Sequence, residues 1–397
     1  MRWTTPLIPE IKLVPRTGDF SARSTSSENL TISFHRNEIP CFVKAEMERL
    51  YQNSFSSTSA EHVDNPDTST YIVYNGSAPI TIFLVRSEKR QLRVLNATIH
   101  VSAEEIRRFA NFIFNEYQSV EMIQFQSIRI DRVQLPFPCQ QFNASEDIVL
   151  ALPDTVQTYL ASLGKSTRKY IKYHLNRPAR YFPTYRFRIY EKGEVNERLI
   201  QDIIDLNTAR MDDKHKVSTI DEAHRNWILK IAGAYGFVGA ATIDGRICAG
   251  VICSHVGENY FMHVIAHDPA YNEFRLGTLC CYLTICETIA RGGKEFHFLW
   301  GQGEYKYRLL GIQHDLDNLT LYRSRAQYFL NLDTVLKNLL ADYARYSKVN
   351  LEKNSISNTF SARLIIGFLN FVHTAQRVKR YLVLAVRKLI SLKSHHG

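Results

Sequence analysis

The segment FLWGQGEYKYR, residues 298–308, gathers a carboxylate, a phenol and an amine directly after two glycines. Glu304, Tyr305 and Lys306 are the types that serve as general base, general acid and electrostatic clamp when a sheet edge presents them together. The same residues also make a polar turn with packed tyrosines and solvated charges. Gly301-x-Gly303 is too short for a dinucleotide fingerprint. Upstream, YFMHVIAHDPAYNEFRLGTLCCYLTICETIA (260–290) reads as a strand, a loop carrying Arg275, Leu276, Gly277 and Thr278, and a helix that opens at the glycine. Exposed amides at a helix start, a residue without a side chain and a nearby arginine suit a phosphate or pyrophosphate. A plain helix start with Arg275 in water uses the same letters.

His263 and His267, at i and i+4 on the strand, share a face. Either is a base by its ordinary pKa, and either is equally a packed strand histidine. No third ligand has suggestive spacing, so no metal is expected. Cys280 and Cys281 follow the helix start, yet their setting, LCCYLTIC, is apolar and reads as core rather than as a nucleophile.

Elements must hold these groups. In the first 150 residues, helical spacing over 41–51 and a capping-box helix over 102–117 alternate with strand-like runs at 71–74, 80–85, 91–95, 122–125 and 147–151. The Ser/Thr-rich stretch SFSSTSAEHVDNPDTST separates the first helix from the strands, and the start of the chain through Ser33 is polar. From Pro153 the pattern changes: a short helix at 154–163, a basic helix from Lys165 that Pro178 should stop, a strand at 185–190, and helices over 195–211 and 219–235. An Asp244-Gly245 hairpin joins strands 236–243 and 247–255, and a third run covers 257–266. A helix over 276–291, a strand at 295–300, a short helix near Glu304 and a strand at 318–322 follow. This order fits neither a doubly wound parallel sheet nor a helical bundle, and no repeat of 20 to 50 residues is visible.

The chain has 397 residues, 45% of them hydrophobic and 22% charged, enough for a substantial core and for two or three domains. The net charge of +10 is unevenly placed. Residues 163–192 hold nine bases and one acid, residues 361–397 hold seven bases and no acid, and the remaining body is mildly acidic. Seven cysteines without CxxC spacing read as thiols of a reduced compartment. With no apolar run of spanning or signal-peptide length, the expected location is cytoplasmic, peripheral at the inner membrane face if the C-terminal segment docks there.

Four segments together resemble a known family: LGKSTRKYIKYHL, the IDGRICAGVI hairpin, HDPAYNEFRLGTLCCYLTICETIARGG, and FHFLWGQGEYKYRLLG with its Tyr305-Lys306 pair. They cover about residues 150–325 and look like the GNAT N-acyltransferases, in particular their CelD/BcsL branch (BioF-like acetyltransferases), related to the FemAB transferases. The resemblance implies an α+β chain of tandem GNAT-like domains, with a mixed, mostly antiparallel sheet flanked by helices. It would divide into a degenerate GNAT-like half (1–150), an acyltransferase half (151–330) and a basic helical tail (331–397). It implies acetyl-CoA, or another acyl-CoA, as cosubstrate and no metal. Arg275, Leu276, Gly277 and Thr278 would meet the pyrophosphate, and His263, Val264 and Ile265 the pantetheine arm. Tyr305 would protonate the leaving thiolate, Glu304, His263 or a water would take the amine proton, and Lys306 would fix the acceptor. Two positions depart from the family pattern: His297 stands where an acid is usual, and Phe274-Arg275-Leu276 replaces a Ser-Pro pair before the glycine.

The implied acceptor is an amine of a small molecule, sugar, polysaccharide precursor or cell-envelope molecule. Two other readings use the same chain: a catalytically silent binding module in polysaccharide synthesis, and a FemAB-like transferase drawing on aminoacyl-tRNA, the one setting in which nucleic acid would be a partner. Lys165, Arg168, Lys169 and Lys172 share a helix face that suits an anionic acceptor, CoA phosphates or plain solvent. The acid-free C-terminal segment reads as a helix packed on the body or a partner, or as one lying on an anionic membrane surface.

Overall fold

The computed structural model of the protein describes residues 30–53, 67–131, 135–191, 193–213 and 220–353. The first half runs β1 (Leu30–His35), α1 (Val43–Tyr51), β2 (Thr68–Asn75), β3 (Ala78–Glu88), β4 (Gln91–Val94), α2 (Ala103–Glu116), β5 (Met122–Ile128) and β6 (Cys139–Ala151). The second runs α3 (Val156–Ser162), α4 (Lys165–Leu175), α5 (Arg177–Tyr181), β7 (Arg186–Glu191), α6 (Glu197–Asp213), α7 (Glu222–Tyr235), β8 (Gly236–Ile243), β9 (Arg246–Val256) and β10 (Asn259–His267). A 3-10 turn (Pro269–Phe274) leads to α8 (Leu276–Ala290), β11 (Glu295–His297), α9 (Glu304–Arg308) and β12 (Ile312–Tyr322), then α10 (Arg325–Leu330) and α11 (Leu332–Lys353).

Local signals in the sequence are realised where chemistry dictates them. Ser102 accepts the Glu105 amide while the Glu105 carboxylate accepts the Ser102 amide, a complete capping box that starts α2. Asp244 and Gly245 both take positive φ, 50° and 74°, as a two-residue turn between β8 and β9 requires. Pro178 does not simply stop the basic helix; α4 ends at Leu175 and the proline sits in the first turn of the short α5.

The twelve strands of the described residues form one sheet in the order β1-β2-β3-β4-β5-β12-β6-β11-β10-β9-β8-β7. Each half contains one parallel strand pair reached through a helix, β4 with β5 through α2 and β10 with β11 through α8. The halves exchange their last strands: β6 of the first pairs with β11 of the second, and β12 of the second pairs with β5 of the first. β6 and β12 also pair with each other, so the sheet is continuous across the two halves. This tandem GNAT-like, mostly antiparallel α+β sheet is the expected architecture.

Two strands are longer than the sequence suggests, thirteen residues for β6 and eleven for β12. Their added stretches, CQQFNASE and IQHDLD, carry few apolar residues and are half-exposed; Cys139–Phe142 pair with Leu321–Asn318 and Ile312–His314 with Val149–Asp147, so each pairs mainly with the apolar end of the other strand, far away in sequence. Helices cover both faces. α8 packs with α3 and α4 residues on one face through Tyr159, Ile171, Leu279, Ile285 and Phe296, while α6 and α7 bury Ile203, Ile228, Ile252 and Val264 on the other. α2 and α1 cover the first half. The C-terminal basic segment and most of the Ser/Thr-rich connector lie outside the described residues. Among the described residues no helix is long and apolar enough to cross a membrane.

Candidate active site

β10 and β11 are hydrogen-bonded neighbours over only three residue pairs, Asn259–Phe261 with Glu295–His297, and then part. α8 crosses from one to the other, so its N-terminus lies at the carboxyl ends of both strands, where the gap opens. That is the ligand crevice of a parallel strand–helix–strand unit. A register shift between Met262 and Val264 marks a bulge in β10 at this place.

The start of α8 is bare. Its N-cap, Arg275, holds a left-handed conformation (φ 57°) and supplies no side-chain cap to the first helix amides. Gly277 is buried, and a Cβ on it would stand 2.7 Å from Nδ1 of His267, whose Nε2 is 2.9 Å from Asn272 Oδ1. Leu276 is a core residue, and Thr278 is half-buried beside the Tyr170 side chain of α4. Burial raises the Tyr170 pKa, with Arg275 and Arg308 acting against it. Burial, Arg177 and Arg275 together lower that of His174. The inward face of the basic helix therefore meets the α8 start within a positive field, while Lys165, Lys169 and Lys172 remain exposed.

The strand residues divide. Val264 is buried beneath α6, and Ile265 packs on the opposite face with the α8 core. The His263 side chain lies between β9 and α7: Nε2 is 2.8 Å from Ser254 Oγ and the ring stands edge-on to Trp227 at 5.1 Å. Burial and then His224 lower its pKa to about 3, so it is neutral. Only its backbone lies along the β10 edge.

α9, on the segment that follows β11, carries Tyr305. The half-buried phenol packs against the α8 core, edge-on to Phe298 at 6.4 Å. Burial and Cys281 push its pKa up, against a smaller opposing effect of Arg210, so the hydroxyl stays protonated. Lys306 is 5% exposed, and Nζ donates to the carbonyls of Phe298 (2.8 Å), Leu299 (3.1 Å) and Trp300 (2.6 Å). Its three donors are committed to the loop before α9, which corrects the expectation of an acceptor clamp. Glu304 is turned to solvent, 77% exposed, and paired with Arg308 at 2.5 Å, so in this arrangement it is no base beside Tyr305. Cys280 and Cys281 are buried in the core, and burial raises the Cys281 thiol to about 12, which suits packing rather than attack.

Sequence reading missed a second cluster. His297 Nδ1 donates to Asp147 Oδ2 at 2.6 Å, Nε2 lies 3.2 Å from Glu295 Oε2, and Phe261 stacks on the ring at 4.3 Å. Burial alone would lower the His297 pKa, but the two carboxylates outweigh it and raise it to about 9. The cluster lines a cavity of about 390 Å³ between the halves, with Asn53, Thr98, Arg129 and His314. Asp147 comes from β6, the exchanged strand, and so could not be paired with His297 from local spacing. Arg210, at the end of α6, was missed likewise; its effect on Tyr305 depends on tertiary packing. Among the described residues no group of three or more His, Cys, Asp or Glu is arranged to hold a metal ion.

Comparison with known proteins bears on residues 165–307, which match the family model described as acetyltransferase (GNAT) domain. No curated protein matches the chain at a significant level. Among solved structures, FemX is similar with a TM-score of 0.52 at 8% identity, covering 72% of this chain and 96% of that one. The L-PGS of Bacillus licheniformis gives 0.47 at 12% identity, covering 78% and 98%. A tandem GNAT protein from the clavulanic acid biosynthesis pathway gives 0.37 at 9% identity, covering 74% and 99%. Residues 165–307 are thus similar to a GNAT acetyltransferase domain, and the fold in which they sit is similar to that of FemX.

Proposed function

We propose that the protein is an acyl-CoA-dependent N-acyltransferase that acetylates an amine of a sugar, polysaccharide precursor or cell-envelope molecule by direct attack. The observation that carries this reading is the parting of β10 from β11 in front of an uncapped helix start at Gly277. A pyrophosphate at that helix start meets bare amides and the positive field of Arg275, Arg177 and Arg308. The pantetheine arm then runs along the β10 edge at His263, Val264 and Ile265, leading the thioester toward Tyr305.

In the reaction the neutral amine attacks the thioester carbonyl. The N–C bond forms, the C–S bond breaks, Tyr305 protonates the departing thiolate, and the amine proton leaves to water. Arg210, the cation whose field reaches the Tyr305 hydroxyl, stabilises negative charge as it develops on oxygen or sulfur. Lys306 contributes by holding the loop that delivers Tyr305.

Calorimetry with acetyl-CoA tests the reading: the folded protein binds it, and absence of binding would overturn the assignment. Gly277→Ala is expected to weaken binding about tenfold, because the methyl group displaces the His267 ring and covers the amides. An aminoacyl-tRNA donor is the second reading, favoured by the exposed lysines of α4 beside the helix start. Tight tRNA binding that falls steeply with salt, without acetyl-CoA binding, would select it.

A further inference from the structure

The loop that delivers Tyr305 is fastened from two sides. Lys306 gathers the carbonyls of Phe298, Leu299 and Trp300 from below. On the next residue the polarity reverses: the amide of Gly301, a residue with φ +90°, donates to Glu146 Oε1 at 2.8 Å. Glu146 belongs to β6, and its side chain is only 4% exposed. A carboxylate that deeply buried needs a counter-charge, and it has one: the Arg345 guanidinium of α11 bonds its other oxygen. Arg345 Nε also donates to Asn143 Oδ1 of β6 at 3.3 Å. α11 lies along β6, so the connection runs from the C-terminal helix, through one buried carboxylate, to the backbone four residues before Tyr305.

We infer that Arg345 is a positioning residue for the reaction, acting through Glu146 on the Gly301 amide to fix the turn from which Tyr305 projects. This rests on the acyltransferase reading for its catalytic consequence, but not for its geometry. The left-handed turn at Gly301 has little side-chain packing of its own, and Trp300 beside it is 46% exposed. Two charged anchors of opposite sign, one pulling carbonyls and one pulling an amide, give the turn a single conformation. Without Arg345, the Glu146 carboxylate is a buried, unbalanced charge that recruits water or another donor and gives up Gly301.

The test uses the full chain with Arg345→Met, Arg345→Lys and the double variant Arg345→Met with Glu146→Gln. Hydrogen exchange without ligand is expected to be about tenfold faster at the Gly301 amide in Arg345→Met and within about threefold of the parent in Arg345→Lys, with α2 unchanged. The double variant returns toward the parent, since a neutral glutamine oxygen accepts the Gly301 amide without a buried charge to balance. It also keeps the test open should Arg345→Met alone fail to fold. With acetyl-CoA and an amine acceptor, Arg345→Met is expected to lower kcat roughly tenfold and leave the KM for acetyl-CoA within about twofold. Unchanged Gly301 exchange, or a double variant that exchanges as fast as Arg345→Met, overturns the connection. Faster exchange with unchanged kcat overturns its role in positioning. If the parent protein binds no acetyl-CoA, the acyltransferase reading fails, and the exchange measurements alone then decide whether Arg345 fixes the turn.

Discussion

Tyr305→Phe lowers kcat by about 100-fold or more while acetyl-CoA affinity stays within about twofold, because removal of one positioned general acid typically costs two to four decades. The direction follows from the setting of the phenol. Burial and Cys281 hold it protonated far above neutral pH, so it has a proton to give throughout the working range. The ring packs on the α8 core and against Phe298, and phenylalanine preserves both contacts. Affinity should therefore survive, since the pyrophosphate site we propose is around Gly277, at the start of α8. Stopped-flow or steady-state release of free thiol, read beside calorimetry, separates the two quantities. A variant with parental turnover would remove Tyr305 from the mechanism and leave water to protonate the thiolate. A variant that loses affinity and turnover together would make the hydroxyl a binding group instead.

What could be read in the sequence was what local chemistry determines. The Ser102 capping box, the Asp244-Gly245 turn, the amphipathic helices and the glycine opening α8 are each decided by residues within a few positions of one another. The exchange of β6 and β12 between halves is a long-range event, and no periodicity in CQQFNASE or IQHDLD announces it. With it went the partners of the site. Asp147 and Glu146 are 150 and 155 residues from His297 and Gly301, and they reach them only because β6 crosses into the second half. The same distance effect misled the reading of Lys306. In a linear string, a lysine beside a tyrosine looks like a clamp for substrate; in the fold the carbonyls of a tight loop claim its donors first. His297 stood out as a histidine at a position where an acid is usual, and the structure supplies acids on either side of it, from Asp147 and Glu295.

That cluster makes His297→Leu the second large effect, on stability. The substitution leaves Asp147 buried with its charge unbalanced, a loss of about 3–5 kcal/mol when one partner of a buried pair is removed. It should also change how stability depends on pH. In the parent the folded-state pKa of His297 is raised to about 9, above the ordinary 6.5. The folded state therefore holds its proton more tightly, and the stabilisation, roughly 3 kcal/mol, is full below about pH 6.5 and lost as pH rises through 9. The charged neighbours are Asp147, Glu295, Arg129 and Lys306, with His314 beside them. Lys306 works in the opposite sense: burial lowers its pKa to about 8, against the pull of Asp147 and Cys281, so its contribution improves as pH rises. The difference between parent and variant isolates the histidine from that background. Urea midpoints at pH 6 and pH 9.5 provide the measurement: the gap between parent and His297→Leu should be wide at pH 6 and narrow at pH 9.5. A gap of equal width at both would mean that His297 is held neutral, and that the join between the two halves depends on packing against Phe261 rather than on charge.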